Sequence, residues 1–371
     1  MTSTISSTDL RFTVSPSTSP RSAAEREHIL AAPVFGQDFT DHMVWVDYVE
    51  GEGWGEAEVR AYGPITLDPA AAVLHYAQEI FEGLKAYRHP DGSVWLFRPE
   101  ANAARFERSC DRMALPQLPA GAFVESVKQL VSIDAAWVPS APETSLYVRP
   151  MMFASEPFLG VRPARRVTYG VIASPAGSYF GGSMKSVPIW VSKEYSRAAA
   201  GGTGAAKCGP NYAGTLRPQQ DAYDQGCAQV AFLDAATHSN LEELGGMNIF
   251  VVTKSGEVAT PALTGTFLEG ITRSAILTVA LELGLEPAER TVSLAEVVDG
   301  LADGTVTEVF ASGTAAVLTP IGELKWTGGS VEVAGGEPGR VTTEIRQRLL
   351  NIQYGLSDDP HGWMTQVVPA S

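Results

Sequence analysis

The sequence of 371 residues contains only three cysteines, Cys110, Cys208 and Cys227, and no two of them form a CxxC pair. Few, widely spaced thiols argue against a disulfide framework or a metal site, and predict small buried side chains in a reducing compartment. Basic residues are also few, since 27 lysines and arginines stand against 42 aspartates and glutamates, a net charge of -15. Because nucleic acids and anionic membranes attract basic surfaces, neither is an expected partner.

Long apolar runs are missing as well. No segment reaches the roughly eighteen uninterrupted apolar residues typical of a transmembrane helix. The first ten residues carry neither the basic region nor the apolar region of a secretory signal, so we expect a cytoplasmic protein. With 44% hydrophobic and 19% charged residues, the composition is that of an ordinary globular protein, and the length favours two domains.

Composition and periodicity divide the chain into four predicted segments. Residues 1–33 are rich in serine, threonine and proline, which predicts an N-terminal arm. Residues 34–176 are predicted to form a first domain, in which alternating runs indicate an antiparallel sheet. A Gly/Ser-rich stretch predicts a linker at 177–187, and residues 188–371 are predicted to form the second domain.

Regular elements are predicted from the same patterns. Helices are expected at Ala71–Phe81, Glu100–Met113, Ala122–Val131 and Thr272–Leu283, the last ended by Gly284 as a C-cap signal. Strands are expected at His42–Tyr48, Trp54–Tyr62, Leu84–Arg88, Ser93–Arg98, Ser145–Phe153, Val167–Ala173, Val187–Ser192, Gln229–Asp234, Met247–Val252 and Thr307–Ala311.

Lys207 lies in a segment of small side chains that runs from Gly201 to Tyr212. A lysine with room beside its amine, a phenol five residues on and the carboxylate of Glu243 further along suits a Schiff base with a flat aromatic aldehyde. A solvated lysine in a flexible loop is the alternative. A phosphate-binding P-loop fails, because Ala206 and Cys208 stand where that motif requires glycine and a hydroxyl residue.

Two other segments indicate an anion site. Glu269-Gly-Ile-Thr-Arg opens the helix predicted at Thr272, and a helix N-terminus beside a hydroxyl binds phosphate well. Ser312-Gly-Thr-Ala supplies a second small loop of amides and hydroxyls. A phosphate between the two would explain both, while simple N-capping and an ordinary turn remain open alternatives.

Together these segments resemble the fold-type IV pyridoxal-phosphate enzymes, and in particular the branched-chain aminotransferases. The resemblance spans about His42 to Tyr354. It lies in Tyr76-Ala-Gln-Glu-Ile-Phe-Glu-Gly-Leu-Lys-Ala-Tyr, Leu146-Tyr-Val-Arg-Pro, Lys207-Cys-Gly-Pro-Asn-Tyr, Glu243-Leu-Gly-Gly-Met-Asn-Ile-Phe, Val258-Ala-Thr, Leu268-Glu-Gly-Ile-Thr-Arg, Gly313-Thr-Ala and Ile352-Gln-Tyr-Gly.

The resemblance implies a two-domain fold of the α+β and α/β classes, with a smaller N-terminal α/β domain and a larger C-terminal β-barrel-like domain with helices. It also implies a homodimer that uses pyridoxal 5'-phosphate to move the amino group of leucine, isoleucine or valine to 2-oxoglutarate. D-amino-acid aminotransferase and aminodeoxychorismate lyase share this fold and stay open. A non-catalytic cofactor carrier or a nucleotide-binding module is the alternative of another class.

Roles at the cofactor follow from matching positions. The resemblance implies that Lys207 forms the Schiff base and moves the proton, that Tyr212 binds the phenolic oxygen and that Glu243 pairs with the ring nitrogen. It assigns the phosphate to the side chain of Arg105, the backbone and side chain of Ile271 and Thr272, and Thr314.

Roles at the substrate follow in the same way. Backbone amides of Thr314 and Ala315 are implied to meet the substrate carboxylate, with help from the hydroxyl of Tyr76 of the partner subunit. Arg149 is implied to meet the distal carboxylate of glutamate. The other matching pocket positions are Phe81, Tyr147, Tyr179 and Gly246.

Two departures from the family pattern change what the resemblance implies. Ala316 and Thr319 stand where mammalian members carry a CxxC redox pair, so thiol control of activity is not implied. Gly246 stands where some relatives have a hydroxyl residue, which removes one pocket hydrogen bond or steric wall.

Overall fold

The computed structural model describes residues 10–177 and 184–370. In these ranges the strands are β1 Phe12–Val14, β2 His42–Val49, β3 Gly53–Trp54, β4 Ala57–Ala61, β5 Glu79–Phe81, β6 Leu84–Arg88, β7 Val94–Phe97, β8 Ser145–Ala154, β9 Arg166–Ala176, β10 Val187–Ser192, β11 Gln229–Leu233, β12 Leu241–Leu244, β13 Asn248–Thr253, β14 Glu257–Pro261, β15 Glu286–Arg290, β16 Val306–Gly313, β17 Val317–Trp326, β18 Gly329–Glu332 and β19 Met364–Val368. The α-helices are α1 Ala23–Ala31, α2 Ala72–Tyr76, α3 Pro99–Arg112, α4 Ala120–Ile133, α5 Gly209–Ala213, α6 Leu216–Asp224, α7 Ile271–Glu282, α8 Leu294–Asp303 and α9 Arg340–Gln353.

The chain separates into two compact units. As far as its residues are described, the first unit spans Met1–Gly181, Ala206–Gly209 and Ile352–Ser371, and the second spans Gly182–Ala205 and Pro210–Asn351. No helix of the described chain is long and apolar enough to cross a bilayer.

The first unit is built on a mainly antiparallel sheet in the order β1-β4-β2-β9-β8-β6-β7-β19, with β3 beside β2 and β5 beside β8. Helices α3 and α4 bury their apolar faces in its core. Phe106 of α3 lies edge-on to Tyr169 of β9, with ring centroids 5.7 Å apart. This is the sheet that the alternating runs predicted, because one face of each strand lies against these helices.

Two segments distant in sequence join the first unit. Strand β19 pairs antiparallel with β7, and the hydroxyl of Tyr354 donates to the carbonyl of Thr144 at 2.8 Å. Ala206 and Cys208 pack in the same core. The compact units therefore include segments that lie outside the predicted boundaries, 34–176 for the first domain and 188–371 for the second.

The helix predicted at Ala71–Phe81 is wrong in its second half. Helix α2 ends at Tyr76, because Ala77 adopts a left-handed conformation with φ 48°, and the chain then forms β5. Residues Glu79–Phe81 pair with Phe153–Met151 of β8, and these sheet hydrogen bonds replace those of a continued helix.

Part of the predicted N-terminal arm has regular structure. Strand β1 pairs parallel with β4, and Ser22 begins α1 with a capping box that Glu25 completes. Leu10 and Phe12 pack against the first unit's core. The remaining residues of the arm, 1–9, lie outside the described residues.

The second unit contains a closed six-stranded barrel. The strand order β12-β11-β10-β17-β16-β13 returns to β12 because Glu243 of β12 pairs with Asn248 of β13. Strands β14 and β15 extend from β13, and helices α6, α7 and α8 pack on the strands. The predicted β-barrel-like second domain is confirmed by this closure.

Helix α7 confirms the predicted C-cap. The helix ends at Glu282, and Gly284 follows in a left-handed conformation with φ +73°. An L side chain rarely adopts this conformation, so glycine lets the chain turn into β15 without strain.

Two stacked phenylalanines on neighbouring barrel strands allow a test of the packing in the second unit. Phe250 of β13 and Phe310 of β16 are cross-strand partners, both fully buried, and their rings stack with centroids 4.9 Å apart. We expect Phe250→Ala to lower the free energy of unfolding by about 3–5 kcal/mol, because it removes buried area and leaves a cavity. Leu281→Ala, at a side chain 66% exposed, is the control and should change it by less than about 0.5 kcal/mol. Equal effects in denaturant titrations would contradict this packing.

Candidate active site

Three hydrogen bonds position the backbone around Lys207. Its carbonyl accepts from the amide of Phe81 at 2.9 Å, and its amide donates to the hydroxyl of Ser109 at 3.0 Å. The amide of Gly209 donates to the carboxylate of Glu79. Burial, the largest cause, raises the pKa of Glu79, and the amide of Gly209 opposes that rise. The lysine therefore occupies a defined place on the first unit rather than a flexible loop.

The side chain of Lys207 lies beside an aromatic ring that also contacts Arg149. The amine of Lys207 is 4.9 Å from the centroid of Phe81, and the guanidinium carbon of Arg149 is 4.7 Å from it. Arg149 donates to the hydroxyl of Tyr147 at 3.1 Å. The structure thus brings together Lys207, Phe81, Tyr147 and Arg149, four of the residues that the resemblance assigns to the site.

A cavity of about 240 Å³ adjoins this group in the first unit. Tyr147 and Arg149 line it together with Phe35 and Phe39, and the ring of Phe35 lies edge-on to Tyr147 at 4.8 Å. The Nε atom of Arg149 is buried and finds no hydrogen-bond partner among the described residues. Phe35 lies just after the predicted arm, and no motif in its neighbourhood marked it as a wall of the pocket.

Arg105 is held by a carboxylate that the sequence analysis did not single out. Glu82 is fully buried and binds Arg105 through two contacts, of 2.7 Å to Nε and 2.8 Å to Nη2, and it also accepts from Asn102 at 2.6 Å. Burial alone raises the pKa of Glu82, but the charge and hydrogen bonds of Arg105, with the charge of Lys207, outweigh it and lower the pKa. Arg105 therefore lies in a buried charge network that includes Lys207.

The second unit holds Glu243 at the closure of the barrel. Glu243 lies within β12, shortly before β13, and is 3% exposed. Its Oε1 accepts from the amide of Leu268 at 3.1 Å and forms an ion pair of 2.6 Å with Nη1 of Arg197. The guanidinium of Arg197 lies 5.7 Å from the ring centroid of Tyr212.

The strand register places the anion-binding segments next to Glu243. Asn248 pairs with Glu243 on one side and with Ser312 of β16 on the other. The amide of the Asn248 side chain donates to the carbonyl of Leu268 at 2.9 Å, two residues before the N-cap Gly270. The start of α7, with Ile271 and Thr272, and the end of β16 therefore meet at one edge of the barrel.

Two glycines, Gly246 and Gly313, allow close packing at this edge of the barrel. A Cβ on Gly313 would lie 3.1 Å from Cγ of Met247, and one on Gly246 would lie 3.6 Å from the ring of Tyr212. Gly246 therefore borders Tyr212, and the turn that carries it packs against the start of the loop that holds Thr314 and Ala315.

Two predicted substrate residues have different outcomes. Tyr76 is 42% exposed, and its hydroxyl donates to the carbonyl of Leu159. Tyr179 lies outside the described residues.

The residues present fit the cofactor that the resemblance implies. No side chain caps the N-terminus of α7 at Gly270, and the hydroxyl of Ser312 is buried without a hydrogen-bond partner in the described chain. A helix N-terminus beside a buried hydroxyl of this kind suits a phosphate. A buried carboxylate and a phenol in the same unit, at Glu243 and Tyr212, suit a pyridinium nitrogen and a phenolic oxygen.

Arg197 and Glu82 are the two charged residues that sequence reasoning missed. Arg197 lies in an irregular segment after β10 with no motif around it. Glu82 lies inside the motif that begins at Tyr76, where an acidic residue within an apolar run, Ile-Phe-Glu-Gly-Leu, was a signal that could have been used.

Comparison with known proteins agrees with this geometry. The family model described as amino-transferase class IV matches residues 79–324. A branched-chain-amino-acid aminotransferase of Mycolicibacterium smegmatis is 52% identical over 362 residues, which cover 96% of this chain and 98% of that protein.

Solved structures of the same kind are similar in fold. A branched-chain amino acid aminotransferase of Escherichia coli has a TM-score of 0.73 and 28% identity, covering 87% of this chain and 99% of that chain. The branched-chain amino acid aminotransferase of Thermobaculum terrenum, solved in its PLP form, has a TM-score of 0.73 and 24% identity. The match covers 90% of this chain and 100% of that chain. These likenesses extend over both units, and the chain belongs to the class IV aminotransferases, among the branched-chain-amino-acid aminotransferases.

Proposed function

We propose that this enzyme transfers the amino group of leucine, isoleucine or valine to 2-oxoglutarate, with pyridoxal 5'-phosphate bound covalently to Lys207. The observation that carries the proposal is the ring of Phe81, which has the amine of Lys207 at 4.9 Å and the guanidinium of Arg149 at 4.7 Å. One apolar surface thus adjoins both an amine for covalent chemistry and a cation for a carboxylate.

The cofactor, when bound, supplies an aldehyde for the Lys207 amine and a ring that accepts an electron pair. Glu243 holds a proton on the ring nitrogen, and Tyr212 binds the phenolic oxygen. The amine of Lys207 would act as the general base and acid that moves the proton of the substrate's α-carbon. The two backbone hydrogen bonds of Lys207 and the one of Gly209 support this role, because they fix the backbone that carries the amine.

Phosphate binding is assigned to Arg105 and to the edge of the barrel. The N-terminus of α7 contributes the amides of Ile271 and Thr272, and the loop after β16 contributes Thr314. The buried hydroxyl of Ser312 adds a donor there. Glu82 supports Arg105 because its two contacts orient the guanidinium plane.

Dual specificity follows from a pocket with apolar walls and one cation. Phe81, Tyr147 and Gly246 leave room for a branched aliphatic chain, and Arg149 meets the distal carboxylate when the substrate is glutamate or 2-oxoglutarate. Amides of Thr314 and Ala315 bind the carboxylate that both substrates share. Tyr179 is assigned to the same pocket by resemblance alone.

We also propose that the enzyme is a cytoplasmic homodimer. Two segments of the first unit, joined by the hydrogen bond between Tyr76 and Leu159, expose five large side chains, and exposed apolar side chains of this kind are typical of an interface. We call this surface the Tyr76 patch; its members are Leu74, Tyr76, Phe158, Leu159 and Val161, which is 86% exposed. Burial of all three thiols supports a reducing compartment.

Replacing the proposed cofactor lysine tests the chemistry directly. Lys207→Ala should abolish turnover and give a protein to which borohydride no longer attaches the cofactor, because no amine is left to form the bond. The measurement is the intact mass after reduction. Lys193→Ala, at an exposed lysine of the second unit, is the control and should keep the added mass. Reductive attachment that persists in the Lys207 variant would assign the chemistry to another lysine.

Arg149 separates the two half-reactions. Arg149→Met should lower kcat/KM for glutamate and 2-oxoglutarate by about 10- to 100-fold, the value of a hydrogen-bonded charge, and that for leucine much less. Arg166→Met, at an exposed arginine of β9 in the same sheet, should change neither. Single-turnover rates with each substrate measure the difference. Equal losses with leucine and glutamate would show that Arg149 supports the fold rather than selecting a carboxylate.

The proposed interface predicts a loss of assembly. Val161→Glu places a charge in the Tyr76 patch and should yield monomers with little activity, since Tyr76 is proposed to complete the partner's site. Light scattering after gel filtration measures the mass. Leu281→Glu, at an exposed leucine of α7, should remain dimeric. A wild-type monomer with full activity would refute the shared site.

A further inference from the structure

Arg197 is a buried cation that forms an ion pair with Glu243. Its side chain is 1% exposed, and Nη1 lies 2.6 Å from Oε1 of Glu243. Nη1 also reaches the carbonyl of Gly204 at 3.4 Å. Nε and Nη2 find no hydrogen-bond acceptor in the described chain. A buried guanidinium with two unmade hydrogen bonds is unfavourable, so its position calls for an explanation beyond stability.

The surroundings of Arg197 are the groups proposed to hold the cofactor ring. Its guanidinium carbon lies 5.7 Å from the centroid of Tyr212. Glu242, the residue beside Glu243, also interacts with its charge. Three titratable groups of the second unit therefore lie beside Arg197, namely Tyr212, Glu242 and Glu243.

The geometry of the ion pair restricts Glu243 in two ways. Oε1 accepts both from Arg197 and from the amide of Leu268, and strand pairing with Asn248 fixes the backbone. These contacts orient the carboxylate and place a positive charge beside it. The same positive charge weakens the binding of a second cation beside Glu243, because the two cations repel each other.

We propose that Arg197 is a positioning residue that acts through Glu243 and limits how tightly the ring nitrogen of the cofactor holds its proton. The inference rests on the proposed function, in which Glu243 meets that nitrogen. With Glu243 as its only charged neighbour in a buried site, the ring nitrogen would hold its proton strongly. Arg197 moderates that affinity, so the nitrogen's protonation responds to the charge of an arginine that need not touch the cofactor.

The test is a pH titration of the ring nitrogen in the holoenzyme, loaded with cofactor labelled with ¹⁵N in the ring and followed by NMR. Arg197→Gln keeps a hydrogen-bond donor but removes the charge, and should raise the titration midpoint by about one pH unit. Arg197→Lys keeps the charge and should stay close to wild type. Arg290→Met, which removes an arginine paired with Glu257 in the same unit, is the control and should not move the midpoint.

The outcomes separate this inference from the proposed function. Glu243→Gln should lower the midpoint, because the anion beside the nitrogen is lost. If Glu243→Gln lowers it and Arg197→Gln leaves it at the wild-type value, the role of Arg197 is refuted while the role of Glu243 stands. If Glu243→Gln has no effect, the proposed cofactor site is itself wrong.

Folding of the variants is checked by circular dichroism. Should Arg197→Gln fail to fold, Arg197→Met, which also removes the charge, takes its place with the same expected rise of about one pH unit, and Arg197→Lys tests whether the charge alone suffices. A shift of a full unit in that folded, positively charged variant would overturn the proposal. A purely structural arginine would change stability in all Arg197 variants without moving the nitrogen's titration.

Discussion

The pairing of Glu243 with Asn248 closes the barrel of the second unit, and the arrangement of that unit's candidate site depends on it. Closure removes the free edges of an open sheet, so the strand ends have one register. That register places Glu243, Asn248 and Ser312 in one row and brings the start of α7 beside it. Glu243 therefore has two roles, because the carboxylate assigned to the cofactor belongs to a residue of the pair that closes the barrel.

Buried charge pairs support the proposed chemistry in each unit separately. In the first unit Glu82 forms an ion pair with Arg105, and in the second Glu243 forms one with Arg197. Removing one partner of such a pair leaves an uncompensated buried charge, which is strongly destabilising. These pairs contribute little to stability compared with apolar groups of the same volume. Their presence is better explained by the orientation and charge that they impose on residues assigned to an anionic cofactor.

Motif and periodicity predicted most of the residues that the structure groups. Lys207, Phe81, Tyr147 and Arg149 meet around one ring, and Glu243 and Tyr212 lie in one unit with the start of α7. Prediction failed where long-range pairing overrode local preference. The segment after Tyr76 has helical composition, yet residues Glu79–Phe81 became a strand because β8 offers hydrogen bonds along its edge.

The sequence by itself determined the family and predicted Lys207 as the candidate cofactor lysine, because both depend on residue types at short spacing. Only the tertiary structure decided which buried charges form ion pairs, since Arg197 and Glu243 are 46 positions apart and no local sequence pattern connects them. It also decided that Ala206–Gly209 and Ile352–Ser371 belong with the first unit. Their hydrogen-bond partners lie far away along the chain, and only the folded sheet brings those groups within bonding distance.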